Sequence, residues 1–135
     1  MDFTYPLSGI VTVVTLLIYM WMAMQVGKSR GKHGVPAPQN TGPDEFLRAL
    51  RVHENTVEGL LLFLPALWMF ALTFGDLWAA LVGLFYPLGR IVYALGYYQA
   101  ADKRSRGFMI GLISTIILLI GSLVGFALSA ATLYL

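Results

Sequence analysis

Four long apolar runs, separated by short polar or charged segments, dominate the pattern of this chain. The uncharged runs cover residues 3–27, 59–75, 77–89 with 91–101, and 107–135. An α-helix needs about 20 mostly apolar residues to cross a bilayer, and each run approaches or exceeds that length. The pattern therefore predicts an all-α membrane protein in which four transmembrane helices form a bundle.

We expect these helices to form a single domain over residues 1–135. Their predicted bounds are about 6–26, 43–73, 77–101 and 107–134. The second helix would be roughly 45 Å long, more than the ~30 Å of the hydrocarbon core, so its first third should project to or past the membrane interface. Glycine and proline are frequent between the first two helices, which predicts an irregular loop there. Pro65 and Pro87 are expected to kink the second and third helices.

Composition agrees with a membrane protein, since 58% of the 135 residues are hydrophobic and only 12% are charged. Because Asp2 replaces a basic start and the first apolar run is long, we expect the first helix to stay in place rather than to be cleaved as a signal peptide. Basic residues gather in two of the three loops: Lys28, Arg30, Lys32, Arg48, Arg51, Lys103, Arg104 and Arg106. The positive-inside tendency then places the first and third loops in the cytoplasm and both termini on the opposite side. Basic residues on one side of the membrane set the orientation of a protein among its lipids, and we therefore expect no nucleic-acid partner.

A first polar face lies where the second helix enters the apolar run. Arg51, Asn55 and Glu58 are spaced i, i+4 and i+7, so a helix presents them together. The third helix carries a second face with Arg90 and two tyrosines at similar spacing. The pattern predicts that two polar faces meet near the cytoplasmic side.

The depth at which these faces meet follows from an antiparallel pairing of the two helices about Asp76. Equal counting from that turn places Glu58 level with Tyr93, and Arg90 one turn deeper. Tyr97 lies one turn closer to the cytoplasm. We therefore expect the acidic and basic groups to lie within one site.

The residue types restrict the chemistry of this site. The chain has no cysteine, and His33 and His53 stand apart, so we expect neither a metal site nor a covalent protein nucleophile. Arg51 and Arg90 face one deep carboxylate, that of Glu58. Guanidinium groups bind carboxylates and a carboxylate binds an ammonium group, so the set suits a small anion that also carries an amine.

A structural interpretation of the same residues is also open. Glu58 and Arg90 can form a buried ion pair that only holds two helices together, and the tyrosines can be interfacial aromatic residues. Ionisable groups inside a membrane are costly and usually functional, which favours a binding site for the set as a whole. A small four-helix exporter would be expected to carry an ionisable group in its first span, and this chain has none there.

Taken together, these motifs resemble the MAPEG family, membrane-associated proteins in eicosanoid and glutathione metabolism. The residues that carry the resemblance are Arg51-x-x-x-Asn55-x-x-Glu58, Arg90-x-x-Tyr93-x-x-x-Tyr97 and Arg104-Ser105. The likeness extends over nearly the whole chain and includes its length, the number of helices and the order of the motifs.

The resemblance implies a homotrimer that binds glutathione between neighbouring subunits at the cytoplasmic end. The positions that match the glutathione-binding pattern are Arg51, Asn55, Glu58, Arg90, Tyr93 and Tyr97. Arg30 and His53 match positions contributed by the adjacent subunit. Arg104, with Ser105 as a neighbouring donor, matches the arginine that activates the thiol, and Arg106 is the alternative.

The activity that the resemblance implies is a glutathione transferase or peroxidase acting on a lipophilic electrophile or lipid hydroperoxide from the bilayer. Gly59 stands where leukotriene-type members have a tyrosine, whereas His53 and Arg104-Ser105 are similar to the prostaglandin-synthase branch. These mixed features favour a general enzyme over a dedicated eicosanoid synthase. The alternative is a non-catalytic protein of the same fold that binds lipid or glutathione.

Overall fold

The computed structural model describes residues 3–135, and helices make up its regular structure. The elements are α1 (Pro6–His33), α2 (Asp44–Phe74), α3 (Asp76–Gly83), α4 (Phe85–Gln99), a short 3-10 turn (Ala101–Arg104) and α5 (Ser105–Tyr134). Within the described residues, four helical stretches are long and apolar enough to cross a membrane, with α3 and α4 acting together as one. The predicted all-α architecture with four spans is thus confirmed. Asp2, used above to argue against a cleaved signal peptide, lies outside the described residues.

The first helix continues seven residues beyond its expected end near Val26. Basic residues in its last turn are favoured by the negative end of the helix dipole, and the helix ends where Gly34 adopts a left-handed φ of 64°. The irregular loop is therefore confined to residues 34–43. From there α2 begins at Asp44, directly after Pro43.

The third span is divided rather than continuous over 77–101. The helix is interrupted at Leu84, between α3 and α4, although this residue keeps helical dihedral angles of φ −60° and ψ −30° and its N–H donates to the carbonyl oxygen of Ala80. Pro87 has no N–H to donate to the carbonyl group of Gly83, and its ring crowds that turn, which explains a break one turn before the proline. By contrast, α2 runs through Pro65 without interruption as far as Phe74.

Contacts at the two ends show how the helices alternate in direction. The carboxylate of Asp76 accepts hydrogen bonds from the backbone N–H groups of Leu7 (2.9 Å) and Ser8 (2.7 Å), so the start of α1 lies beside the start of α3. At the opposite end, Nε of Arg48 donates to the carbonyl oxygen of Tyr98 at 3.4 Å. We call this second end, which carries residues 34–43 and 100–104, the loop end of the bundle.

Helices α4 and α5 pack with their backbones in contact. A Cβ atom at Gly107 would collide with the backbone nitrogen of Tyr93, and one at Gly89 would lie 2.8 Å from the backbone nitrogen of Gly111. Small residues at a helix interface allow such a close approach of two backbones. It holds the start of α5 directly against the turn of α4 that carries Arg90 and Tyr93.

Candidate functional site

A cleft of about 440 Å³ opens at the loop end, between α2, α4 and the start of α5. Its lining residues are Arg51, Asn55, Tyr93, Tyr97, Arg104 and Phe108. Five of these six were predicted to belong to the site, and the sequence places them on three separate helical segments. The fold therefore brings residues of both polar faces, and Arg104 of the basic third loop, into one cleft.

Arg90 lies behind this cleft and is almost fully buried, with 4% of its surface exposed. Its Nη1 donates to Oδ1 of Asn55 at 2.9 Å and to Oγ1 of Thr56 at 3.4 Å. Its guanidinium carbon lies 4.7 Å from the ring centroid of Tyr93 and 5.8 Å from that of Phe108. The guanidinium is thus fixed by neutral partners and aromatic faces.

Glu58 does not neutralise Arg90, contrary to the buried ion pair considered from the sequence. Among residues 3–135, the ion pairs within 4 Å join Lys32 and His33 to Glu45, and Arg51 to Glu54. Glu58 is exposed and, together with Arg90, lines a smaller adjoining cleft of about 180 Å³. A buried cation and an exposed carboxylate consequently face the same space without pairing.

The guanidinium of Arg90 reaches Asn55 and passes close to Gly59 on α2. The depth counted from Asp76, with Glu58 level with Tyr93, stays a prediction.

Arg104 lies at the mouth of the larger cleft, in the 3-10 turn before α5. Its Nη1 donates to the carbonyl oxygen of Ala101 at 2.9 Å, and its guanidinium carbon lies 5.5 Å from the ring centroid of Tyr97. Ser105 and Arg106 are exposed and do not line the cleft. Of the three residues considered for the thiol side, the fold brings Arg104 to the site.

Arg51 occupies the opposite wall and is also exposed. Its Nη1 donates to Oε2 of Glu54 at 3.1 Å, one turn along the same helix. An exposed pair of this kind is weak and easily exchanged, because solvent screens it. The guanidinium is therefore available to an anionic ligand.

Arg30 and His53 lie away from the cleft of their own chain. Nη1 of Arg30 donates to the carbonyl oxygen of Gln39 at 2.6 Å, and its guanidinium stacks 5.0 Å above the ring of Phe46. His53 stacks on Tyr19, with 4.7 Å between ring centroids. Their contribution to a neighbouring subunit's site stays a prediction.

Three residues at the site were not singled out in the sequence: Thr56, Tyr86 and Phe108. Helical spacing contains the signal for two of them. Tyr86 precedes Arg90 by four residues and Phe108 follows Arg104 by four, so both extend faces already identified.

The chemistry available to the site is that of positive charge and hydrogen-bond donors. The described part of the chain has no group of three His, Cys, Asp or Glu side chains that could hold a metal ion. Three guanidinium groups, from Arg51, Arg90 and Arg104, surround the two clefts, and the carboxylate of Glu58 lines the smaller one. Such an arrangement binds anions and can stabilise a developing negative charge.

Comparison with known proteins places this geometry in a family. The model of the MAPEG family matches residues 8–124. Human microsomal glutathione S-transferase 2 is 38% identical over 118 residues, which cover 87% of this chain and 80% of the relative. Mouse leukotriene C4 synthase is 38% identical over 98 residues, covering 73% and 65% of the two chains, and an uncharacterized Synechocystis protein is 45% identical over 115 residues, covering 85% and 84%. The chain therefore belongs to the MAPEG family and, with its four spanning helices, is an integral, multi-pass membrane protein.

Proposed function

We propose that this protein is a glutathione-dependent membrane transferase that binds glutathione at the loop end and activates its thiol. The observation that carries the proposal is the convergence of Arg51, Arg90 and Arg104 around two adjoining clefts that also contain Glu58. Relatives named as a microsomal glutathione S-transferase and a leukotriene C4 synthase support the same class of activity.

Glutathione fits the charges of these clefts. It is a tripeptide with two carboxylates and one ammonium group, and guanidinium groups are the preferred partners of carboxylates. Glu58 accepts from the ammonium group, while Arg51 and Arg90 bind carboxylates. Asn55 fixes Arg90 through the 2.9 Å hydrogen bond, and the remaining lining positions, Tyr93 and Tyr97, shape the cleft around the peptide.

Arg104 activates the thiol in this proposal, with Ser105 as a neighbouring donor. A nearby cation lowers the pKa of a thiol because it stabilises the thiolate, which is the nucleophile. Each unit by which the pKa falls corresponds to about 1.36 kcal/mol of differential stabilisation. The contacts of Arg104 with Ala101 and Tyr97 hold this cation at the mouth of the cleft, so it is in place before the thiol arrives.

The second substrate is a lipophilic electrophile that enters from the bilayer. Leu62 and Leu112 line the smaller cleft beside Arg90 and Glu58, so apolar surface continues directly from the polar site. Attack of the thiolate on an electrophilic carbon forms a thioether while the bond from that carbon to its leaving group breaks and the group departs with the electron pair; in an epoxide the C–O bond opens, and the resulting alkoxide takes a proton from water. With a lipid hydroperoxide, the thiolate takes the terminal oxygen and releases the lipid alcohol after protonation, and a second glutathione converts the sulfenic acid to glutathione disulfide and water.

The catalytic unit is a homotrimer with its glutathione sites on the cytoplasmic side. Arg51, Glu58 and Arg104 are exposed in the single chain, which leaves the clefts open to a neighbour. In this arrangement Arg30 and His53 of the adjacent subunit complete each site. The surplus of basic residues at the loop end supports the cytoplasmic orientation.

The test is the ultraviolet absorbance of thiolate when glutathione is added to the detergent-purified protein at neutral pH. We expect a thiolate band in the wild type, its loss in Arg104→Ala, and its retention in Arg106→Ala, which removes a neighbouring exposed cation outside the cleft. Binding without thiolate in the wild type would support the non-catalytic alternative. Absence of glutathione binding would refute the proposal.

A further inference from the structure

We propose that Tyr86 positions glutathione, by donating its hydroxyl hydrogen to the carboxylate of the γ-glutamyl group, which Arg90 binds at the same time. This inference rests on the proposed glutathione site and adds a residue to it from an otherwise apolar turn of α4. Tyr86 has no role in the motifs on which the site was predicted. Its position, its unpartnered hydroxyl and the shape of α2 beneath it lead to this assignment.

The Tyr86 side chain is buried, yet its polar end has no partner. Only 2% of its surface is exposed, and its ring stacks on that of Phe63 with 4.0 Å between centroids and an interplanar angle of 7°. Among the described residues, neither the Tyr86 hydroxyl nor Nε of Arg90 makes a hydrogen bond. Buried donors are normally satisfied, so two neighbouring exceptions indicate a ligand that supplies the acceptor.

Gly59 explains how these donors come together. A Cβ atom at position 59 would lie 2.6 Å from the Tyr86 hydroxyl oxygen and 3.0 Å from Nη2 of Arg90. Any side chain here would displace both groups. The missing side chain thus lets a hydroxyl and a guanidinium from α4 meet against the backbone of α2.

Charge identifies the acceptor as an anion. Arg90 is 4% exposed, and no carboxylate lies within 4 Å of it among residues 3–135. An unpaired cation in the interior of a membrane protein is costly and marks a functional site. A carboxylate bound by Arg90 and Tyr86 would neutralise the charge and satisfy both orphaned donors.

The other charge in the same small cleft selects an amino-acid group. Glu58, Tyr86 and Arg90 all line the cleft of about 180 Å³. In the γ-glutamyl group the ammonium and carboxylate are attached to one carbon atom, so their partners must lie within a few ångströms of each other. The glycine end of glutathione has a carboxylate without an ammonium group and gives no use for Glu58. The cleft therefore fits the γ-glutamyl end.

The experiment compares two peptides on the detergent-purified full chain by calorimetric titration. One is glutathione, and the other is 4-aminobutyryl-cysteinyl-glycine, which keeps the amine and the thiol but lacks the γ-glutamyl carboxylate. In the wild type the second peptide should bind less tightly. Tyr86→Phe retains the ring that stacks on Phe63 and should raise the Kd for glutathione about tenfold, since it loses a hydrogen bond to a charged group. For the peptide without the γ-glutamyl carboxylate, the Kd of Tyr86→Phe should equal that of the wild type.

A matched control is Tyr98→Phe. Tyr98 also has a buried hydroxyl without a partner among the described residues, but it lines a different cleft, with Lys28 and Lys32. This variant should bind both peptides as the wild type does. Gly59→Ala provides a second test, because its methyl group displaces the Tyr86 hydroxyl. This variant should weaken the binding of glutathione more than the binding of the peptide without the γ-glutamyl carboxylate.

The outcomes separate the inference from the proposed function. An unchanged Kd for glutathione in Tyr86→Phe, or an equal loss for both peptides, overturns the role of Tyr86 while the glutathione site stands. A rise in the Kd for glutathione in Tyr98→Phe as large as that in Tyr86→Phe would also overturn the role of Tyr86. Failure of the wild type to bind glutathione overturns the proposed function and this inference with it.

Discussion

Arg90 on α4 and Asn55 on α2 are joined by a hydrogen bond of 2.9 Å from Nη1 to Oδ1. This bond crosses between the two helices at the base of the candidate site, where the guanidinium is buried. The amide of Asn55 also lines both clefts. The pair therefore sets the position of the cation as well as the packing of the two helices.

Replacing Asn55 by alanine should affect both properties. Nη1 of Arg90 would keep only the long contact with Thr56 at 3.4 Å, and an unsatisfied buried donor costs about 1–3 kcal/mol. We expect a lower unfolding temperature in detergent and a Kd for glutathione about tenfold higher. Asn40→Ala, in the exposed loop, should change neither quantity. A normal Kd in Asn55→Ala would show that Thr56 and the aromatic neighbours are enough to hold Arg90 in place.

The backbone contact between α4 and α5 predicts a large effect of one methyl group. Gly107→Ala places Cβ against the backbone nitrogen of Tyr93, which cannot rotate away. We expect a loss of about 1–3 kcal/mol in the free energy of unfolding, as for other overpacked positions. Gly9→Ala is the control, because nothing lies within 4 Å of a Cβ there, and it should be neutral or stabilising by up to about 1 kcal/mol. Circular dichroism on denaturation would compare the two, and equal stabilities would contradict the close approach.

At the other end of the bundle, Asp76 caps α1 from outside that helix. Its carboxylate accepts from the backbone N–H groups of Leu7 and Ser8, and loss of an N-terminal cap costs roughly 1 kcal/mol. Asp76→Ala should therefore lower the unfolding temperature and leave glutathione affinity unchanged, since the clefts lie at the loop end. Asp102→Ala removes an exposed carboxylate and should have no effect on stability. Weaker glutathione binding in Asp76→Ala would show that the two ends are coupled.

The proposed sharing of sites between the subunits of a homotrimer predicts recovery of activity in mixed trimers. Arg30→Ala and Arg104→Ala should each be inactive as homotrimers, because each lacks one part of every site. If the two variants are co-expressed, each cyclic trimer that contains both has one site that combines an intact Arg104 with an intact Arg30 of the neighbour, so about a third of the sites in mixed trimers should be active. Conjugation activity of doubly tagged, co-purified trimers measures this fraction. No recovery in correctly assembled trimers would mean that each site is formed within one chain.

The main features of the fold could be predicted because the membrane imposes a simple length rule. Four apolar runs indicated four spans. The end of α1 was less predictable, since the basic residues after Val26 look like a loop in a membrane pattern but are also favourable in a last helical turn. Pro87 indicated a distortion, yet only the structure locates the break at Leu84.

The composition of the site was predicted better than its contacts. Helical spacing predicted one face with Arg51 and Asn55 and another with Tyr93 and Tyr97, and the resemblance added Arg104; all five line one cleft. It did not show that Arg90 is bonded to Asn55 rather than to Glu58, because that depends on the register and tilt of two helices separated by a broken span. The unpartnered Tyr86 hydroxyl likewise depends on the space above Gly59, which no periodicity reveals.

The contact of Gly107 with the backbone of Tyr93 has a consequence for protein engineering. No flexible side chain separates α4 from α5 at that point, so the turn that carries the site tyrosines and the segment that carries Arg104 are expected to move as one rigid body. Substitutions that enlarge the contact between these helices would move the site tyrosines away from Arg104. Redesign of the proposed site for the lipophilic substrate should instead begin at Leu62 and Leu112, which line the smaller cleft.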